Sequence, residues 1–291
     1  MKVRIKRDDQ QLLIHDDTQR YSLAYAILAH EGLGSPPVER IRLRGWRQDG
    51  ETDIGAVLRP RRFSLVLLID PYRQRSNDNL FYVRQLLRFL APDKEVEFEF
   101  ELLPAVVRRL NAALIDAVTM PSSEIYRDRQ KLLLNLEASD PLFYDAQSQA
   151  IGWSGIAAGL AIPLNVNITM GDGALDAPLV FSNDGTYPSA CTVIVRGPCS
   201  SFTLTLNGVT VGYGTLAADR ELRINSAWGR VGAAEHNAAT GEFIANRLAG
   251  VIGDLTRLRV IPRANTARVS IFGGSPQTQV TLAYTPAYLS L

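Results

Sequence analysis

Glu95, Glu97, Glu99 and Glu101 stand at every second position of the stretch EVEFEFEL. In a strand these carboxylates share one face, and like charges so placed can raise a pKa into the range of a general acid. Glu97 and Glu99 would then be the pair to carry a hydrolysis. The plainer expectation is a solvated face opposite the packed residues Val96, Phe98, Phe100 and Leu102. A third use is an acidic wall in an oligomeric channel, where it would repel the phosphates of passing DNA.

The other reactive residue types form no constellation. His15, His30 and His236 lack a second ligand at metal spacing, so each reads as a surface or satisfied polar residue. Gly171-Asp172-Gly173 lacks the alternating oxygen ligands of a calcium loop and reads as a turn. No nucleophile elbow, phosphate loop or dinucleotide fingerprint occurs. No catalytic residue, metal or cofactor is called for. Cys191 and Cys199 flank an extended TVIVR segment, which holds their Cα atoms too far apart for a disulfide and predicts two idle thiols.

Arginines cluster as Arg40, Arg42, Arg44 and Arg47, and again as Arg59, Arg61 and Arg62. A sequence-specific nucleic-acid site would need them uncompensated, yet Asp49, Glu51 and Asp53 lie between the clusters. Alternation with Ile41 and Leu43 suggests the polar side of a strand; a solvated face is the default, and Arg42 and Arg44 are candidates for contacts between subunits. Tyr187, Tyr213, Trp228 and Phe243 could stack on sugar rings or fill a core; Tyr213 and Trp228 are the candidates for a carbohydrate or partner contact.

The elements that must position these residues change in character at mid-chain. Residues 1–150 hold 22 Lys and Arg and 22 Asp and Glu, whereas 151–291 hold 9 and 8, and no lysine follows Lys131. That shift predicts two domains, 1–150 and 178–291, joined by a Gly-rich linker or crossover at 151–177 in which Leu164–Met170 is the better strand. The net charge of +1 gives no general pull toward nucleic acid or membrane. The charged start MKVRIKRDDQ is no secretory signal, and no apolar run reaches the ~20 residues of a membrane span. A soluble protein of a reducing compartment is expected.

The first half reads as mostly β with one helix. Arg62–Asp70 and Glu95–Leu102 are strands, and Leu132, Leu134 and Leu136 share one strand face before Asp140-Pro141 stops it. Arg109–Val118 is a further strand. Leu80, Val83, Leu86, Leu87 and Leu90 have helical spacing, with Asp78 or Asn79 as N-cap and Pro92 just past the end. The second half reads as all-β at the rhythm of a sandwich or jelly roll. Its strands are Thr192–Arg196, a hairpin Phe202–Leu206 and Val209–Tyr213 on an Asn207-Gly208 turn, Glu221–Asn225, Glu242–Asn246, Leu255–Ile261, Ala267–Phe272 and Thr278–Tyr284.

In order along the chain these features resemble the distal tail proteins of siphoviruses. The matching stretches are Asp49-Gly50-Glu51 with Asp53-Ile54-Gly55, Arg61–Ile69, the helix Leu80–Leu90 with Pro92, and Asp140-Pro141-Leu142-Phe143-Tyr144-Asp145. In the second half they are Phe181–Thr186, Ile194–Pro198, and Val280–Tyr284 with Pro286 and Tyr288. The Gly/Ala-rich stretch 150–162 departs from the pattern. The resemblance implies a mainly β fold: an N-terminal barrel or sandwich-like domain with one helix, then a C-terminal galectin-like β-sandwich. Asp140, Pro141, Phe143 and Tyr144 become structural motif residues, and Glu95, Glu97, Glu99, Arg42 and Arg44 candidates for a ring lumen or interface. It implies an architectural role at the phage tail tip, in the virion, after assembly in the host cytoplasm. A homohexameric ring would join the tail tube protein to the tail hub protein, and the outer domain would hold receptor-binding or fibre proteins, or a glycan. The alternative is a carbohydrate-binding accessory tail protein acting through the sandwich.

Overall fold

The computed structural model describes residues 1–19, 22–46, 49–74, 78–91, 94–120, 125–126, 129–154 and 175–291. Arg47, Pro92, Leu164–Met170 and Gly171-Asp172-Gly173 lie outside them. The chain is mainly β and divides into two compact units, Met1–Ala146 with Tyr288–Leu291, and Gln147–Ala287. The strands of the first unit are β1 Lys2–Arg7, β2 Gln10–Asp16, β3 Tyr25–Glu31, β4 Val38–Leu43, β5 Thr52–Leu58, β6 Arg61–Ile69, β7 Val96–Leu103, β8 Val106–Leu114, β9 Ile125–Tyr126, β10 Arg129–Ala138 and β11 Phe143–Asp145; its helix is α1, Asn79–Phe89. In the second unit they are β12 Gln149–Ser154, β13 Leu175–Asn183, β14 Ser189–Arg196, β15 Ser201–Leu206, β16 Val209–Tyr213, β17 Arg220–Asn225, β18 Gly232–Asn237, β19 Phe243–Asn246, β20 Arg259–Val260, β21 Arg263–Phe272 and β22 Gln279–Tyr284, and the chain ends its strands with β23 Ala287–Tyr288.

In the first unit the strands run in the order β2-β1-β7-β8-β10-β6-β3, all antiparallel, with β9 on β10 and β11 on β8 and β23. Alternation drives this. Strands β6, β7 and β10 bury apolar residues at alternate positions: Phe63, Leu65, Leu67 and Ile69; Val96, Phe98 and Phe100; Leu132, Leu134 and Leu136. These chains form one core with Val3, Ile5 and Ile14. The end strands β2 and β3 run beside each other, and the Ile27 N–H donates to His15 Nδ1 at 3.1 Å beside the bulge between Ile27 and Ala29. His15 is thus a satisfied polar residue in the seam, its Nε2 3.1 Å from Asp17 Oδ1.

Helix α1 begins at Asp78, whose carboxylate accepts the Phe81 N–H at 2.9 Å. Its buried face is Val83, Leu86, Phe89 and Leu90. Leu80 and Leu87 were expected on that face and are exposed instead, because the core lies one position round the helix, toward Phe89. Tyr25 of β3 ties the helix down, its hydroxyl donating to Tyr82 O at 2.8 Å.

The second unit packs two sheets over one core. One has the order β12-β22-β14-β17-β18-β19, with β20 on β14; the other is β13-β21-β15-β16. Val193, Val195, Leu222, Ile224, Val280 and Leu282 of the first meet Phe202, Leu204, Val211, Val269 and Ile271 of the second. The β15–β16 hairpin turns on Asn207 (φ 50°) and Gly208 (φ 82°), the positive pair a type I′ turn requires. Cys191 and Cys199 are buried and free. Leu255–Ile261 is not the strand expected: a short 3-10 turn over Leu255–Arg257 precedes the two-residue β20, with Asp254 capping the turn through the Thr256 N–H. The described strands β12 and β13 flank residues 155–174.

Candidate functional site

The glutamates of β7 are enclosed in a lattice of ion pairs. Cross-strand register sets Arg4 of β1 and Arg109 of β8 on either side of Glu99. Arg4 Nη1 lies 2.7 Å from Glu99 Oε1, and Arg4 Nη2 lies 3.1 Å from Glu101 Oε2. Lys6 pairs closely with Glu99 and reaches Glu97 at 3.8 Å, while Arg109 Nε stands 3.5 Å from both Glu97 and Glu99. Glu99 is only 6% exposed. Burial would push its pKa up, but hydrogen bonds from Lys6 and Arg4, and their charges, more than offset this and hold it below the usual glutamate value. The expectation of a carboxylate raised toward a general acid is therefore corrected: each glutamate of the strand faces a cation rather than another carboxylate. Cations equally interrupt the acidic wall. Glu95 lies just before β7, outside the ladder.

The stretch Asp140–Asp145 has a physical reason to be as it is. Asp140 Oδ1 accepts the Leu142 N–H at 3.2 Å and Oδ2 accepts the Tyr144 hydroxyl at 2.7 Å, which fixes the turn around Pro141. The Pro141 carbonyl accepts from Arg61 Nε at 2.8 Å. Arg61 is fully buried and makes no ion pair among the described residues. Its Nη1 donates to Gly32 O at 3.0 Å and to Gly34 O, its Nη2 donates to Leu289 O at 2.8 Å, and its guanidinium lies 4.5 Å over the Phe143 ring. Burial pulls its pKa down to about 10. Gly32 (φ 79°) is required there, since a Cβ would stand 2.2 Å from Arg62 O. Nearby, Arg108 stacks 3.4 Å over the Tyr288 ring and pairs with Asp145 at 3.0 Å.

The most exposed element is the two-stranded ribbon β4–β5. All its strand residues are exposed save half-buried Leu58, including Val38, Ile41, Leu43, Ile54 and Val57, and Trp46 in its loop is 89% exposed. Cross-strand pairs brace it: Arg40 with Asp53 at 2.6 Å, Arg42 with Glu51 at 3.4 Å, and Arg59 with Glu39. The basic cluster is thus compensated within the ribbon. Arg44 makes no ion pair among the described residues. A lone hairpin is marginal in water, and an apolar surface of this kind marks a contact region.

In the second unit the aromatic candidates are spread out. Trp228 is 87% exposed on a tight turn held by the Ala227 N–H to Asn225 Oδ1 (2.7 Å) and the Arg230 N–H to Ala227 O (3.0 Å). Tyr213 packs against the core beneath Gly250, and Phe243 stands edge-on to His236 at 5.9 Å. Nothing among the described residues brings Trp228 and Tyr213 into one groove.

Sequence reading named Arg61 as part of a basic cluster and as the start of the Arg61–Ile69 stretch, without giving it a buried role, and passed over Arg108. The signal was present for Arg61: it continues the inward alternation Phe63, Leu65, Leu67, Ile69. For Arg108, on a strand of mixed polarity, none was. Among the described residues no group of His, Cys, Asp and Glu is set to hold a metal, and no helix is long and apolar enough to cross a membrane.

Taken together these features define a two-unit β protein whose organised surfaces are ion-paired sheets and a projecting ribbon. No protein-family model and no curated protein matches the chain. Solved structures do. The Dit protein (gp 19.1) of phage SPP1, described as a paradigm of the hub adsorption apparatus in phages infecting Gram-positive hosts, aligns over 98% of this chain and 98% of its own, at 14% identity and a TM-score of 0.59. A chain of the phage P2 baseplate, in its activated conformation with calcium, aligns over 100% and 99% at 11% identity and a TM-score of 0.50. From end to end the chain has the fold of phage hub and baseplate proteins.

Proposed function

We propose that this chain is a structural protein of a phage tail tip, of the distal-tail kind. Its first unit closes a homohexameric ring that joins the tail tube protein to the tail hub protein. Its second unit, a galectin-like sandwich, anchors receptor-binding or fibre proteins. It works as a virion component after assembly in the host cytoplasm. The observation that carries this reading is the likeness to a phage hub protein over 98% of both chains, which takes in both units rather than a single common module. The β4–β5 ribbon supports it. A ring needs heterologous contacts, in which an arm of one copy meets a different surface of the next, and the ribbon offers an exposed apolar arm with Arg42 and Arg44 on it.

Light scattering with negative-stain imaging of the same peak tests the reading. The expected result is a ring with the mass of a hexamer of 32.0 kDa chains, formed alone or with the tube and hub proteins co-expressed. Replacing residues 38–58 with a short Gly-Ser linker is expected to leave a folded monomer. A chain that stays monomeric in both settings overturns the ring. A carbohydrate-binding accessory role through the sandwich is the second reading, favoured by Trp228 standing in solvent on a rigid turn. Loss of glycan pull-down in Trp228→Ala, with Tyr213→Ala as comparison, is its expected signature.

A further inference from the structure

The outer face of the seven-stranded sheet carries one continuous rank of cross-strand neighbours: Gln279, Arg196, Glu221, His236 and Phe243, from β22, β14, β17, β18 and β19 in turn. Glu221 is 2% exposed at the centre of this rank. Its Oε2 accepts from Arg196 Nε at 2.7 Å and its Oε1 from Arg223 Nε at 2.7 Å. Both arginine side chains are about half exposed, and neither has a second carboxylate within ion-pair distance among the described residues. Two cations on one anion leave one net positive charge. Each guanidinium is held to Glu221 through Nε, and the Nη groups make no bond of their own among the described residues, which leaves their donors for a ligand. Beside them, His236 Nδ1 lies 3.1 Å from Gly241 O; a proton on Nδ1 makes that bond and leaves Nε2 as an acceptor. The Phe243 ring, 60% exposed, closes the rank with an apolar plate edge-on to His236.

We infer that this rank binds an anionic polysaccharide. The guanidinium donors suit carboxylate or phosphate groups, the His236 acceptor and Gln279 amide suit hydroxyls, and the Phe243 plate suits the C–H face of a sugar ring. Five strands span roughly 19 Å at ~4.8 Å spacing, enough to hold a chain of sugars rather than a single ring. The inference shares its ligand class with the carbohydrate alternative but names a different surface, and it does not depend on the ring.

Affinity electrophoresis of the full chain at physiological salt tests it, in gels containing polygalacturonate, a polysialic acid, a phosphomannan or neutral dextran. Retardation by at least one of the anionic polymers and none by dextran is expected. Phe243→Ala and Arg196→Lys/Arg223→Lys should each weaken it at least about tenfold, although neither changes the net charge. The melting temperature of Phe243→Ala should stay that of the parent. Trp228→Ala should bind as the parent does. No retardation by any of the three anionic polymers overturns the inference. So does equal binding by the Arg→Lys pair, which would show charge alone at work. Loss of binding in Trp228→Ala with the Phe243 and arginine variants unaffected also overturns it, and supports the Trp228 site instead.

Discussion

Arg61 occupies the first inward position of β6 and answers carbonyls from three separate stretches of chain: Gly32 and Gly34, Pro141, and Leu289. Only a planar group with five donors spans that set. A lysine keeps the charge but concentrates its donors at one point, stranding buried carbonyls. Arg61→Lys is expected to lower unfolding free energy by about 3 kcal/mol, read from urea denaturation, since each buried acceptor left unmade costs roughly 1–3 kcal/mol. A loss under about 0.5 kcal/mol would show that water replaces the missing donors. Glu99 works in the opposite sense, as an anion among cations. Its folded pKa lies below its unfolded value of about 4.3, so its contribution is full above that pH and is lost as pH falls through the folded value. Glu99→Gln is expected to cost about 1–3 kcal/mol at neutral pH and to flatten the acid limb of a stability-versus-pH curve. An unchanged acid limb would place the proton uptake on other carboxylates.

Among the elements, those legible in the sequence are the ones whose burial follows a strict period. Val96, Phe98 and Phe100 announced β7, Phe63 to Ile69 announced β6, and Asn207-Gly208 announced the β15–β16 hairpin, because alternation and a positive-φ turn are local properties. Strand β18 was not legible. Its sequence, GAAEHN, is poor in β-formers, and it is a strand because β17 and β19 pair with it on both sides. The same limit hid the rank on the outer sheet: Arg196, Glu221 and His236 are far apart in sequence and meet only through register. Helix α1 was legible in extent, but its buried stripe was misplaced, since which of Leu80, Leu87 and Phe89 turns inward depends on the sheet beneath. Of the two caps the sequence offered, Asp78 and Asn79, the helix uses Asp78. Asp78→Ala frees the Phe81 N–H and is expected to cost about 1 kcal/mol, measured as a lowered urea midpoint at unchanged slope. No change would mean that Asn79 or water takes over the cap.

At the scale of the whole molecule, the charge contrast between the halves follows from what each half does with its charges. The first unit spends its lysines and arginines on the β1–β7–β8 lattice and on the braced ribbon, whereas the second confines its ion pairs to a few sites such as Glu221 and Glu235. Each unit encloses its own hydrophobic core. Residues 288–291, although they follow the second unit in sequence, belong to the first, where Tyr288 enters the core under Arg108 and Leu289 is gripped by Arg61. Separate cores allow separate unfolding transitions. Trp153 is 2% exposed inside the second core, whereas Trp46 and Trp228 are already in solvent, so tryptophan emission on unfolding reports the second unit, while far-ultraviolet circular dichroism reports both. Tyr288→Ala removes a ring that is 8% exposed and its contact with Arg108, a change expected to cost the first unit about 3 kcal/mol. The circular-dichroism curve should then gain or shift an early transition while the Trp153 transition keeps its midpoint. If instead both move together, the return of 288–291 couples the two cores into one cooperative block, and a substitution anywhere along Arg61, Arg108 and Tyr288 will be felt throughout the chain.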